Sequence, residues 1–201
     1  MSQYPKEPKK IRARITRYER ELRKERDKFG YIRDGYGKRY LLGPLYLLMG
    51  DTAGAVKSFE WFDKTFPDDV GEPVHFLCWT LALYRSGETA EASHKLLQTV
   101  LSNLYLIPHL LGREQDELDI RHASNYEQKE FLQYVPPEIW ALWDAPVLQW
   151  AEETYDRPQF YQIRARYIDI YEQLESEPRG PRRSELVAEA FRLGTTKPEQ
   201  R

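Results

Sequence analysis

Two segments of the chain lie in the same frame 37 residues apart, and each has the pattern of two amphipathic helices joined by a tight turn. Residues 36–69 turn at Gly50 and residues 73–106 turn at Gly87. Glycine suits these places because it readily adopts the left-handed conformation in which helices commonly end. A helical hairpin of this size cannot bury its apolar face alone, so the repetition predicts an all-α fold with stacked units.

The first unit carries a specific set of residue types at a specific spacing. Small side chains at Gly43 and Ala55 leave room for close helix contact, and large rings at Tyr46 and Phe59 fill the space around them. In these features the unit resembles the tetratricopeptide repeat. The resemblance rests on Leu42, Gly43, Tyr46, Ala55, Phe59 and Pro67.

The second unit keeps only part of that pattern. Ala92 and Leu96 are in place, but Thr80 stands where the glycine stood, Leu83 replaces the tyrosine and Leu104 replaces the proline. We therefore predict two tetratricopeptide-like repeats of unequal regularity. Their core is expected to contain Leu42, Tyr46, Ala55, Phe59, Phe62, Trp79, Ala92 and Leu96.

Around the repeats, the pattern predicts helices at both ends. An amphipathic helix is expected from Ile11 to Phe29, and the longest helix is expected over Pro158–Ser176. Its Ile163, Tyr167 and Ile170 should pack against the repeats or the helices that follow them. The predicted organisation is a disordered segment 1–10, a basic helix with a Gly-rich connection 11–35, the repeats 36–112, a helical extension 113–177, and a linker with a last helix 178–201.

Charge is unevenly distributed along the chain. Residues 1–40 hold 14 Lys or Arg against 6 Asp or Glu, a balance of +8, whereas residues 41–177 hold 10 against 23, a balance of −13. A basic arm of this kind can fold onto the acidic body, or bind nucleic acid or anionic lipid, or bind an acidic protein. Three glutamates within the arm count against phosphate binding: Glu19, Glu21 and Glu25.

The resemblance also implies where a partner would bind. In tetratricopeptide repeats the first helix of each unit lines a concave groove, which gives Tyr40, Pro44, Leu47, Leu77, Leu81 and Tyr84. These side chains are aromatic or aliphatic, so the groove should accept an amphipathic segment, either of a partner or of the chain itself. The basic arm adds Arg12, Arg14 and Arg17 as further candidates.

No motif predicts catalysis or a cofactor. The chain lacks a phosphate-binding glycine loop, a dinucleotide fingerprint and a serine elbow, and Cys78 lies in an apolar helix where a core role is expected. His109 and His122 are the residues to test first for an enzyme, although their surroundings lack a recognised metal-ligand spacing. No metal or cofactor site is predicted.

The expected function is a non-enzymatic protein-interaction or scaffold module whose partner is a protein or peptide. The alternatives are nucleic-acid binding through the basic arm and an enzyme of unrecognised type. No apolar run approaches the roughly 18 residues of a membrane span, so a membrane partner is not expected. The single cysteine favours a cytoplasmic location.

Overall fold

The structure, a computed structural model, describes residues 4–196. All regular secondary structure in that range is helical, which confirms the all-α prediction. Residues 125–127 and 129–134 form short 3₁₀ turns. The ten α-helices are α1 Pro8–Phe29, α2 Lys38–Leu48, α3 Thr52–Thr65, α4 Pro73–Arg85, α5 Thr89–Ser102, α6 Leu106–Leu110, α7 Pro137–Trp140, α8 Ala145–Tyr155, α9 Pro158–Ser176 and α10 Pro181–Thr195.

Local sequence explains where most of these helices begin. Six of them (α1, α4, α7, α8, α9 and α10) have proline in the first turn, where the missing N–H would have no intrahelical partner. The carboxylates of Asp51 and Asp144 cap α3 and α8 by accepting backbone N–H bonds. The last helix, α10, begins at Pro181, and the Ser184 hydroxyl inside its first turn donates to the carbonyl of Gly180 at 3.2 Å.

Two helical hairpins, α2–α3 and α4–α5, form the centre of the fold, and α4 packs against both helices of the first hairpin. Every residue of the predicted core is buried except Tyr46, which is half-buried. The Tyr46 hydroxyl leaves the core to donate a hydrogen bond to Glu19 of α1. The frame assigned to the repeats therefore matches the observed burial.

The basic helix α1 packs along α2 through Ile11, Ile15 and Leu22. The prediction of disorder for residues 1–10 is wrong for residues 4–10, because α1 begins at Pro8 and Tyr4 is buried. Residues 1–3 lie outside the described part of the chain. An exposed apolar stripe on α1 would be unfavourable in water, and packing along α2 buries it.

The C-terminal helices α9 and α10 form a hairpin that packs against α5. Ile163 is buried in the main core and Tyr167 is half-buried, whereas Ile170 is fully buried in a second cluster with Leu186 and Ala190 of α10. Within the helical extension, residues 125–134 form 3₁₀ turns and not a continuous α-helix. There the Asn103 side-chain amide donates to the carbonyls of Tyr126 and Gln128, two acceptors that an α-helix would use for its own N–H groups.

Candidate functional site

The predicted concave groove belongs to the core. Pro44, Leu47, Leu77 and Leu81 are all buried, so their prediction as partner-binding residues is corrected. An apolar groove between only two repeats leaves large surfaces uncovered, and burying them at roughly 25 cal/mol per Å² favours any segment of the chain that reaches them. A partner cannot contact these four side chains without displacing the part of the chain that covers them.

The segment that contains α7 and α8 lies on this side of the hairpins. The Tyr84 ring packs on Trp150 of α8 with 4.6 Å between centroids. Next to it, Arg85 donates to the carbonyl of Leu142 and lies 3.5 Å from Asp144. At the other end of the row, the Tyr40 hydroxyl donates to Asp69 at 2.6 Å. Both edge residues of the predicted groove are therefore already engaged within the chain.

The predicted arginines lie on α1. Arg12 and Arg17 are exposed, whereas Arg14 is half-buried. The Arg17 Nε lies 3.9 Å from a carboxylate oxygen of Glu21. The arm thus folds onto the body, as one of the three readings of its charge expected, while much of its charge still faces solvent.

An open concavity lies elsewhere, between the hairpins and the C-terminal helices. We call it the aromatic groove. Its volume is about 480 Å³, and its walls come from α3, α4 and α5 on one side and from α9 and α10 on the other. Its rings are Phe62, Phe76, Trp79, Tyr167, Tyr171 and Phe191.

Lys95 of α5 is the cation of the aromatic groove. Its Nζ lies 3.6 Å from the centroid of Trp79 and 5.2 Å from that of Phe76, which is cation–π geometry. Burial lowers the pKa of Lys95 to about 8. Within residues 4–196, no carboxylate lies at ion-pair distance from this ammonium, and the nearest influence of opposite charge is Asp63.

Polar groups at the edge of the aromatic groove complete its chemistry. The Gln98 amide nitrogen donates to the carbonyl of Gly194 at 3.1 Å and so ties α5 to the end of α10. The buried Oε1 of the same side chain has no hydrogen-bond partner in the described structure. Asp63 and Asp68 lie at the rim, and Phe191 keeps 66% of its surface exposed. The groove thus combines apolar walls with unpaired polar groups.

The other candidates for chemistry are structural or dispersed. Cys78 is buried, and burial raises the pKa of its thiol, as expected for a core residue. His109 packs its ring against Trp140 and does not join His122 in a cluster. Among residues 4–196, no group of three or more His, Cys, Asp or Glu side chains is placed to hold a metal ion. Within the same range, no helix is both long and apolar enough to cross a bilayer.

Comparisons with protein-family models, with curated proteins and with solved structures each gave no match. The resemblance to the tetratricopeptide repeat therefore rests on the residues that carry it in the sequence.

Sequence reasoning missed the aromatic groove because its residues come from five helices that are distant in sequence. One signal was available: Tyr167 and Tyr171 widen the apolar stripe of α9 beyond what a single contact surface needs. Nothing in the local sequence distinguishes Lys95, which looks like an ordinary exposed cation on an amphipathic helix. Its burial depends on where α3 and α4 bring Asp63, Phe76 and Trp79.

Proposed function

We propose that this protein is a non-enzymatic protein-interaction module built on two tetratricopeptide-like repeats, and that a peptide segment of its partner binds in the aromatic groove. The observation that carries the proposal is Lys95, a cation without a carboxylate partner in the described structure, at the centre of an open groove with aromatic walls. The concave side is not proposed as the site.

The tetratricopeptide-like part of the proposal is supported by helix contacts at the motif positions. A Cβ atom built on Gly43 would lie 2.3 Å from the ring of Phe59, so only glycine permits this approach of α2 to α3. Ala55 and Ala92 occupy the same place in the two units and are both fully buried. Such close contact between the two helices of a unit is what the small residues of that repeat are expected to provide.

The groove favours one kind of partner segment. Its rings would bury an apolar or aromatic side chain, and Lys95 would pair with a neighbouring Asp or Glu of the peptide. Asp63 and Asp68 at the rim make no ion pair within residues 4–196 and would accept a basic residue farther along. We therefore propose a short segment with an apolar anchor, an acidic residue beside it and a basic flank.

The surroundings of Lys95 support binding more than chemistry. A catalytic lysine needs a second polar group to move protons, and the atoms closest to this ammonium are ring faces. No cofactor forms part of the proposal. A cytoplasmic location remains part of it and is supported by the single cysteine.

Selection from a random peptide library displayed on phage tests the proposal with the full chain. We expect the selected peptides to share an apolar residue next to an acidic one, and to bind Phe191→Ala and Lys95→Gln at least tenfold more weakly. Tyr161→Ala is the matched control, because Tyr161 is an equally exposed ring on α9 that does not line the groove. Circular dichroism and thermal melts of each variant separate loss of binding from loss of folding.

The pH dependence of binding provides a second readout. With its pKa at about 8, Lys95 is protonated at pH 7 and loses its charge as the pH rises through 8. Affinity for an acidic peptide should therefore fall between pH 7 and 9, and Lys95→Gln should remove this change. The other titratable groups that line the groove are Asp63, Asp68, Asp69, Tyr167 and Tyr171. Peptides without a shared pattern, or equal binding by both groove variants, would contradict the proposal.

A further inference from the structure

Three of the four acidic side chains of α1 are turned towards the body. Glu19 accepts the hydroxyl of Tyr46, and the carboxylate of Glu21 lies 3.4 Å from Lys38 Nζ. Glu25 accepts the backbone N–H groups of Arg33 and Asp34 at 3.1 and 2.9 Å. The three glutamates that counted against phosphate binding are thus half-buried and already engaged.

The solvent side of α1 is therefore strongly cationic. The exposed basic residues of this helix and the segment before it are Lys6, Lys9, Lys10, Arg12, Arg17, Arg20, Arg23, Lys24, Arg26 and Lys28. Only Glu7 and Asp27 are exposed acids in the same stretch. A helix of this length extends for roughly 33 Å, so it presents a continuous cationic track to a polyanion.

Exposed aromatic rings follow at the C-terminal end of α1. Phe29, Tyr31 and Tyr36 keep 39%, 54% and 87% of their surfaces exposed. Each ring carries a cation beside it: the Arg33 guanidinium lies 4.7 Å from the centroid of Phe29 and 5.5 Å from that of Tyr31, and Lys38 Nζ lies 5.4 Å from that of Tyr36. We call these three rings the stacking platform.

The platform stands on a connection that is held in place. Asp34 adopts a positive φ of 40°, and its buried carboxylate accepts the N–H groups of Lys38 and Arg39 at 2.9 and 2.8 Å, which fixes the start of α2. From the other side, Glu25 binds the backbone at Arg33 and Asp34. The Gly-rich connection thus presents its rings in a defined arrangement, so less conformational entropy is lost on binding.

A cleft of about 420 Å³ lies between α1 and α3, and Ile32, next to Tyr31 in the chain, forms part of its wall. Arg23 and Arg26 of α1 face Lys57 and the half-exposed Trp61 of α3 across it. The Oγ of Ser58, which also lines the cleft, is buried and has no hydrogen-bond partner in the described structure. Cations, a ring and an unused hydroxyl therefore line a space large enough for a base or a phosphate, and the carboxylate of Glu19, which also lines it, accepts the Tyr46 hydroxyl.

We propose that α1, the cleft and the stacking platform form a binding surface for single-stranded nucleic acid. Phosphates would pair with the exposed cations of α1, and unstacked bases would lie on the platform rings. An acidic peptide would form ion pairs with the cations of α1 but would have no base to stack on the platform rings. Insertion into a bilayer is disfavoured because the apolar stripe of α1 is buried against α2.

Fluorescence anisotropy with a labelled 20-nucleotide oligo(U) tests the proposal on the full chain. We expect saturable binding at 50 mM salt that weakens steeply as salt increases. The double variant Tyr31→Ala/Tyr36→Ala should weaken binding about tenfold or more without changing the salt dependence. The double variant Arg12→Gln/Arg20→Gln should instead reduce the slope of log K against log salt by about 1.4, since each lost phosphate contact removes about 0.7.

Matched variants and probes make the result decisive. Tyr161→Ala removes an exposed ring of α9, outside the proposed surface, and should leave binding unchanged, as should the groove variant Phe191→Ala. Oligo(dT) of the same length separates RNA from DNA as the source of the strand. Tighter binding of a duplex or of poly-glutamate than of oligo(U), no binding at 50 mM salt, or equal binding by the tyrosine variant would overturn the proposal.

Discussion

The two helical hairpins occupy the same frame but fill their centres in different ways. In α2–α3, Gly43 meets the face of the Phe59 ring, and the contact is entirely apolar. In α4–α5, Thr80 takes the place of the glycine, and its hydroxyl lies 3.2 Å from the hydroxyl of Thr99. One hairpin thus pairs the smallest residue with a ring, and the other pairs two β-branched hydroxyl residues in a fully buried site.

Equivalent positions of the two hairpins thus hold different residue types, each suited to the residue that it faces. Leu96, which replaces the phenylalanine in the second hairpin, needs less room than a ring and so tolerates a larger neighbour on the facing helix. When a smaller side chain on one helix is matched by a larger one on the facing helix, the interior stays close-packed although the motif residues differ. The first hairpin should therefore be intolerant of added volume, and the second should be sensitive to lost hydrogen bonds.

The largest effect is expected from adding one methyl group to the first hairpin. Gly43→Ala would place a Cβ 2.3 Å from the Phe59 ring, which has no free space to retreat because it is fully buried. We expect a loss of about 3 kcal/mol in the free energy of unfolding, at the upper end of overpacking effects. Chemical denaturation measures it.

Gly194→Ala controls for this change, because it adds the same methyl group to a helix where nothing lies within 4 Å of the new atom. There the better helix propensity of alanine should stabilise the protein slightly. Equal stability of Gly43→Ala and the parent chain would show that α2 and α3 do not approach as closely as described.

A smaller, pH-dependent effect is expected where the hairpins meet. His75 of α4 is fully enclosed by rings of the first hairpin, with centroids 4.9 Å from Phe59 and 4.4 Å from Phe62. Its Nδ1 lies 3.5 Å from the carbonyl of Tyr40, which lacks its usual helical donor because Pro44 has no N–H. Burial lowers the pKa of His75 to about 3.

The sign of the pH effect follows from proton binding. Between pH 6.5 and 3 the unfolded chain binds a proton at His75 that the folded chain does not, so stability falls as the pH falls. The loss is about 1.4 kcal/mol per pH unit, or roughly 2 kcal/mol at pH 5. His75→Phe should remove this part of the slope, whereas His109→Gln, on the exposed surface of α6, should retain it. A slope that His75→Phe does not reduce would mean that the ring is hydrated.

The smallest effect is expected from the hydroxyl pair of the second hairpin. Thr99→Val should cost about 1 kcal/mol or less, because the Thr80 hydroxyl keeps its hydrogen bond to the Phe76 carbonyl at 2.9 Å and loses only its contact with Thr99. The Thr80→Val/Thr99→Val double variant should cost less than the two single variants together, since either one alone already removes the contact between the hydroxyls. Thermal denaturation of the four proteins in this cycle measures the coupling, and simple additivity would argue that the two hydroxyls act independently.

The candidate sites depended on tertiary structure far more than the fold did. The apolar pattern of α1 predicted a docked helix, but only docking shows that Glu19, Glu21 and Glu25 turn inward while the cations remain outside. Similarly, the sequence predicted an apolar concave groove and could not show that α7 and α8 cover it. Helical periodicity indicates which residues share a face of a helix, but it does not indicate which element packs against that face.

The sequence by itself determined the all-helical class, the frame of the two hairpins and the helix starts, because proline, glycine and apolar spacing act within a few residues of where they stand. The tertiary structure alone decided which apolar faces are filled from within and which remain open. The outcome depends on the apolar area that segments far apart in the chain bury against each other. The aromatic groove and the cationic face of α1 are surfaces that stay exposed.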